Sequence, residues 1–406
     1  LILAELAQLY DQAARWEALA ETLAELAQYV KDPDERLGIL HRIGAIYDQR
    51  LNRPDSAIRW YEASLTVDST HVPTLQALAP LYSAAGEWES LIRMHLGEAE
   101  HAPDAKRRAS AHVRVAEVLE ERLTRVDDAI EHHAKALSIE PGYPAAFKAL
   151  TRLLPQTGRH RELAELFERS VDLASSKERA IASLLRVGAV YEDQLGDPAQ
   201  AAQAYRRILE HDPKHLQAIQ SLQRATERAG RYRDLVQALE LEAELTEEPD
   251  RLVGLLHRAG EVLDDQLSDR EGALEFFRRV VDTRPDYLPA LSSLGRLYHA
   301  LGRWEDLLGL YDKELALAQS GRESVSLLQK MAELCQERIG REDDALGYYR
   351  QILDIEPTHG PALRALTRRL RARKDWAALV EVLTTQFHGY RDPASRAQTA
   401  YQIGLV

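Results

Sequence analysis

Cysteine occurs once in the 406 residues, at Cys335, and asparagine once, at Asn52. A single thiol excludes an internal disulfide framework and any cysteine-based zinc cluster. No stretch approaches the 18 or more apolar residues of a membrane span, so no membrane insertion is expected. Positive charge is the minority sign: Asp plus Glu outnumber Lys plus Arg by 65 to 52, a net charge of −13. That balance argues against nucleic-acid binding and favours solubility. Lysine is scarce against arginine, 9 to 43, a bias that suggests a GC-rich bacterial genome. There is no Gly-rich phosphate loop, no His-Glu-x-x-His and no Gly-x-Ser-x-Gly, so neither catalysis nor a cofactor is expected. The opening Leu1-Ile2-Leu3-Ala4-Glu5-Leu6 lacks a starting Met, a basic leader and a cleavage site and reads as helix. The compartment is not encoded; a cytoplasmic location is the expectation.

What is present is regularity. Hydrophobic residues make up 45% of the chain, enough for a large core and too many for a disordered chain. Trp16, Trp88, His160, Tyr232, Trp304 and Trp376 follow one another at a single constant interval, as do Ala57, Ala129, Ala201, Ala273 and Ala345. Ser69, Pro141, Pro213, Pro285 and Pro357 keep the same spacing. The register runs from Leu1 to Val406 without insertion or deletion, through five full units and part of a sixth. A fixed period of this kind denotes a solenoid, in which each unit buries its apolar face on its neighbours.

Each unit divides into two helical hairpins. Leu75, Leu78, Ala79 and Tyr82 are spaced i, i+3, i+4, i+7, one face of a helix. Gly86 then ends that helix, and a second amphipathic helix starts at Trp88. In the other half-unit a helix from Ile181 through Tyr191 turns at Gly196-Asp197-Pro198 and continues as a second helix to Leu209. It stops at His211-Asp212-Pro213, since proline cannot continue a helix.

These segments resemble the tetratricopeptide repeat (TPR) family. Leu294-Gly295-x-x-Tyr298-x-x-x-Gly302 matches its first-helix core, and Ala201-x-x-x-Tyr205-x-x-Ile208-x-x-x-x-Pro213 its second helix and closing proline. The resemblance implies an all-α fold: an α-solenoid of antiparallel helix pairs wound as a right-handed TPR superhelix. It covers residues 1–406 as one continuous array of about eleven hairpins plus the first helix of a twelfth. Two departures recur in every unit. Alternate hairpins carry one extra turn residue, and the others hold Leu91, Leu163, Leu235, Leu307 and Leu379 where the second helix usually has Ala. Both ends begin or stop mid-pattern, so a segment of a longer repeat protein is expected.

Three constellations invite a chemical reading. His132-His133 has metal-ligand chemistry, but those phases hold Trp60-Tyr61, Ala204-Tyr205, Phe276-Phe277 and Tyr348-Tyr349 elsewhere. Adjacent helical residues also diverge by about 100°, so packing is expected and no metal site. The Trp16 series opens each second helix and is expected to plug the hairpin corner. Acidic first helices such as Glu117-Val-Leu-Glu120-Glu121 and Asp264-Asp265 recur from copy to copy, which suits a surface stripe and not one active site.

In the family the first helices line a concave groove that holds ligands. Carried over by alignment, the acidic groove positions are Glu117, Glu120, Glu192, Glu261, Asp264 and Glu333; the basic ones are Arg152, Arg224, Arg296 and Arg368. Arg364, Arg368 and Arg371 lie i, i+4, i+7 on one helix. The groove is thus expected to alternate acidic and basic ribs. Neutralisation within the stack is the competing reading: Arg224 with Glu192 or Glu261 between helices, and Arg114–Glu117, Arg258–Glu261 and Lys330–Glu333 as i, i+3 pairs. The three like charges at 364, 368 and 371 favour an acidic guest, and Arg suits carboxylates. A chaperone-type carboxylate clamp, which needs two groove asparagines, is excluded because Asn52 falls in a turn.

The expected function is a non-catalytic protein–protein interaction scaffold, holding a peptide or partner protein along the groove. Two alternatives stay open: a sensing arm of a larger signalling or effector protein, and a homotypic assembly module, since ribs of opposite charge are self-complementary.

Overall fold

The computed structural model describes residues 2–406. Among them every regular element is helical, from Ile2–Gln12 to Pro393–Gly404. The chain packs as two compact units, one ending at His211 and one beginning at Asp212. Within each unit a helix packs mainly on the helices before and after it in sequence, the nearest-neighbour arrangement of stacked repeats. The all-α architecture of antiparallel helix pairs expected from the sequence is what is observed.

Two kinds of hairpin alternate. In the longer kind the first helix spans 17 residues, as in Pro33–Gln49, Ala105–Glu121 and Pro249–Asp265. Capping side chains set its start at the same phase: Asp32, Asp104, Ser176, Ser320 and Asp392 each accept from a backbone N–H of the first turn. A capping oxygen satisfies one of the orphan N–H groups there. Only Glu248, at the same phase, makes no such bond.

The extra turn residue of these hairpins has a clear physical account. Leu51 N–H reaches back to Ile46 O and Arg53 N–H to Tyr47 O, so one residue is looped out of the i→i−4 ladder. The same widened turn closes on Val118 and Leu119, Val190 and Tyr191, Val262 and Leu263, and Cys335. In two copies it becomes a full π turn, Val190–Gln194 and Cys335–Ile339. The looped residue is left-handed each time: Asn52, Thr124, Gly196, Ser268 and Gly340 all have φ between 50° and 80°. The shorter hairpins turn at a second left-handed series: Ala14, Gly86, Gly158, Gly230, Gly302 and Lys374.

The core is built from the same phases. Ala57, Ala129, Ala201, Ala273 and Ala345 are buried, and so are Tyr61, His133, Tyr205, Phe277 and Tyr349 four residues on. First helices approach these rings through glycine: a Cβ at Gly44 would stand 2.5 Å from the Tyr61 ring, and one at Gly260 2.7 Å from Phe277. The leucines of the shorter hairpins, from Leu91 to Leu379, are likewise buried.

The Trp16 series departs from the expected core plug. Trp16, Trp88 and Trp304 are half-buried, and each carries a guanidinium over its ring: Arg50 at 4.8 Å, Arg122 at 5.1 Å and Arg338 at 5.2 Å. The pairing is visible in the repeat, because His160 and Tyr232 stand opposite Gln194 and Gln266 at the arginine phase. A tryptophan at the corner is therefore roofed by the next hairpin's cation. Trp376 is 49% exposed.

Candidate functional site

Two of the candidate first-helix arginines pair with acids of the preceding hairpin's first helix. Arg152, in Pro144–Gln156, meets Glu120 of Ala105–Glu121 through two bonds, Nη1–Oε1 at 2.6 Å and Nη2–Oε2 at 2.8 Å. The Arg152 guanidinium holds the Glu120 carboxyl below the usual carboxylate range, against the opposing effect of burial. In the unit beginning at Asp212, Arg296 meets Asp264 at 3.0 Å in the same relation, 32 residues apart. These two arginines neutralise the stack, which is the competing reading of the ribs.

The expected i, i+3 pairs do not form. Arg114 turns away from Glu117 to Glu98, at 3.1 Å. Arg258 makes two bonds to Glu227, at 2.7 and 2.8 Å, instead of pairing with Glu261. Lys330 sits 5.8 Å over the Tyr311 ring, and Glu333 accepts a hydrogen bond from the Gln329 side-chain N–H at 2.8 Å. For Arg114 the cause is the burial of Glu98. Its side chain is only 4% exposed, and a desolvated carboxylate loses far more by lacking a donor than an exposed one does. Glu117 has its carboxyl pushed up by partial burial and by neighbouring Glu121, with Arg114 acting the other way. Of the remaining acids, Glu192 accepts from the Tyr205 hydroxyl at 3.1 Å, and Glu261 lies 3.6 Å from the His257 imidazole. Arg224 donates to Ser221 at 3.0 Å.

Arg364, Arg368 and Arg371 behave differently. All three lie exposed on the helix Gly360–Arg373 and make no ion pair among the described residues. The phase that supplies Glu120 and Asp264 to the other arginines holds Gln336 in this copy. On the same helix Arg369 pairs with Glu342, and Arg373 with Glu342 and Asp343. One face of this helix is thus neutralised, and the other presents three uncompensated cations about one turn apart.

Several features escaped the sequence reading. Glu98 and Glu242, which share a phase of the repeat, are buried carboxylates held by Arg107 and Arg251 of the following helix. Glu98 also touches His95 at 3.7 Å, and Glu242 accepts from Gln220 at 3.1 Å and Gln223 at 2.7 Å. Burial opposes ionisation in both, yet these donors hold each carboxyl below its ordinary range. The available signal was a repeated Glu at a phase that holds Leu26 and Ser170 in other copies. His112, which replaces Leu40, Leu184, Leu256 and Leu328, pairs with His132 at 3.1 Å. His133 packs in the core as expected. No group of three or more metal-ligating side chains is found among the described residues, and no described helix is long and apolar enough to cross a membrane.

The Arg152–Glu120 and Arg296–Asp264 pairs are half-exposed on the arginine side, where such pairs contribute about 0–1 kcal/mol. Arg152→Ala and Arg296→Ala should each lower stability by less than about 1 kcal/mol, read as urea midpoints. A larger loss would mean that these ribs hold the stack together.

Residues 74–109, 182–215 and 290–323 match models of the tetratricopeptide repeat. A curated relative, the protein CTR9 homolog of Arabidopsis thaliana, is 28% identical over 159 residues, 38% of this chain and 13% of that protein. The chain therefore matches only about an eighth of that relative's length. Among solved structures, Naa15/Naa10 bound to HypK-THB superposes with a TM-score of 0.34 at 12% identity, over 98% of this chain and 65% of that one. YrrB, described as a TPR protein with an unusual peptide-binding site, gives 0.27 at 18% identity, over 46% and 91%. Yeast Tom70 gives 0.25 at 13% identity, over 92% and 96%. Along one register of helix pairs, the chain thus carries three segments that match the tetratricopeptide repeat.

Proposed function

We propose that the chain is a non-catalytic protein-interaction scaffold, an uninterrupted array of repeats whose first helices receive a peptide or a partner protein. The observation that carries this reading is the uncompensated stripe of Arg364, Arg368 and Arg371, on a helix whose other arginines are both paired. Like charges about one turn apart repel, and a partner's carboxylates relieve that repulsion through the planar guanidinium fork. The helix that presents the stripe is formed before any partner arrives, so little ordering entropy opposes association. Arg152 and Arg296, already paired within the stack, contribute less to capture.

The partner segment is acidic where it crosses this helix. Panning a peptide-display library on the purified chain should enrich peptides with carboxylates at helical or extended spacing. The triple variant Arg364→Glu, Arg368→Glu, Arg371→Glu should weaken those peptides about ten- to hundredfold, the sum of three exposed ion pairs. Its circular dichroism and melting should match the wild type. Undiminished binding by the folded variant removes this site.

A further inference from the structure

The buried-glutamate phase singles out one copy. At Glu98 and Glu242 the second helix of a hairpin buries a carboxylate, and an arginine nine residues on, Arg107 or Arg251, donates to it. The intervening copy keeps the arginine, Arg179, but has Ser170 in place of the glutamate. Ser170 does not reach the arginine: its hydroxyl donates to Phe167 O at 2.6 Å and to Ser183 Oγ at 2.8 Å. Ser183 is one turn beyond Arg179 on the same helix face, so Arg179 shares that face with the partner of the Ser170 hydroxyl. Arg179 is exposed and donates to Ser175 at 2.9 Å.

A cavity of about 510 Å³ opens at this same place. Leu137, Gly142, Phe147 and Leu166 give it apolar walls, Ser170 lines it, and Arg169 stands at its exposed rim with Asp172. Volumes of about 300–1,000 Å³ with mainly apolar walls and a few placed polar groups are those that hold small organic ligands. Of the first five of these second helices, Leu26 and Glu314 belong to copies without the arginine, which have Glu35 and Glu323 there instead. The arginine without its glutamate is found only in this copy; an equivalent cavity of about 440 Å³ opens in the copy that keeps Glu242, where Leu216, Leu245 and Arg251 itself line it.

We propose that this cavity binds a small amphiphilic monocarboxylate, whose apolar body lies against Leu137, Phe147 and Leu166 and whose carboxylate takes the place of the missing glutamate. Arg179 leaves Ser175 for the ligand, as Arg107 and Arg251 hold Glu98 and Glu242, and Arg169 closes the rim. The site is separate from the Arg364 stripe and does not depend on the scaffold reading.

Calorimetric titration of the whole chain with octanoate and with 1-octanol tests it. Octanoate should bind, with octanol at least about tenfold weaker, since only the carboxylate engages the arginines. Hexanoate should bind about fifteenfold more weakly than octanoate, about fourfold for each methylene lost. Arg179→Gln should cut octanoate affinity about tenfold and leave octanol unchanged. Ser170→Glu, which restores the internal carboxylate, should abolish octanoate binding; should that variant fail to fold, Arg179→Gln decides alone. No octanoate binding at 10 mM would overturn the proposal. So would equal binding of octanoate and octanol, which points to an apolar side chain of a partner as the occupant.

Discussion

Gly260→Val should lower the stability of the chain by about 2 kcal/mol, whereas Gly254→Ala in the same helix should raise it by about 0.5–1 kcal/mol. Both glycines lie in Pro249–Asp265, six residues apart. A Cβ at Gly260 would stand 2.7 Å from Phe277 Cε1 and 2.9 Å from Cζ; at Gly254 it would meet nothing within 4 Å. The Phe277 ring is fully buried, and overpacking a close-packed core costs about 1–3 kcal/mol. Replacing an unopposed helical glycine removes an entropic cost instead. Urea midpoints at constant m would show the two substitutions moving in opposite directions. A gain at both would mean that the ring moves aside and that the close approach does not hold the hairpin.

Acid should destabilise the unit ending at His211 through its histidines, by on the order of 3 kcal/mol for His133 alone between pH 7 and pH 4. His133 is 2% exposed, and both its ring nitrogens lack a hydrogen-bond partner. Burial, with Arg152 nearby, pushes its pKa down to about 4; Glu120 acts the other way. Burial likewise pushes His132 down to about 4, helped by Lys135 and His112 and opposed by Asp128. The His112–His132 bond needs one nitrogen to accept, so it exists only while at least one ring is neutral.

The direction follows from proton uptake. Between the ordinary imidazole value of 6.5 and about 4, the unfolded chain binds protons that the folded chain refuses. Stability that is fully present above pH 6.5 is therefore lost as the pH falls, about 2 kcal/mol of it by pH 5. In the same unit the lowered Glu98 carboxyl adds its own loss only further down, below the ordinary carboxylate value of 4.5. His133→Phe, the residue found at Phe277, should flatten the melting temperature between pH 7 and pH 5. Parallel pH profiles for wild type and variant would refute the assignment.

The helix pairs were legible because one long period repeats every local signal. Capping Asp or Ser, the turn residue, the alanine and the core ring recur at fixed phases, and each acts over a few residues of backbone. The extra turn residue was visible as a count, and its accommodation by widened i→i−5 bonds was not. The choice between a π turn and a looped α turn rests on small differences in local packing. The charged first-helix positions were chosen by alignment, but the partner of Arg114 was misread because sequence proximity competed with a buried acceptor. Arg114 is the instance: Glu117 lies one turn away in sequence, and Glu98 lies across a helix boundary with its oxygens out of water.

By itself the sequence determined the all-α class, the length and pairing of the helices, and the phases that face the core, since periodicity along one chain encodes each helix's buried side. Only the tertiary structure decided which arginines are already satisfied. It showed Arg152 and Arg296 paired, Arg364, Arg368 and Arg371 unpaired, and a cavity beside Ser170. The reason is that a charge is neutralised by whatever stands within about 4 Å of it in space. Across a helix stack those neighbours come from another helix: Glu98 reaches Arg114 and Glu120 reaches Arg152, past nearer candidates in the chain.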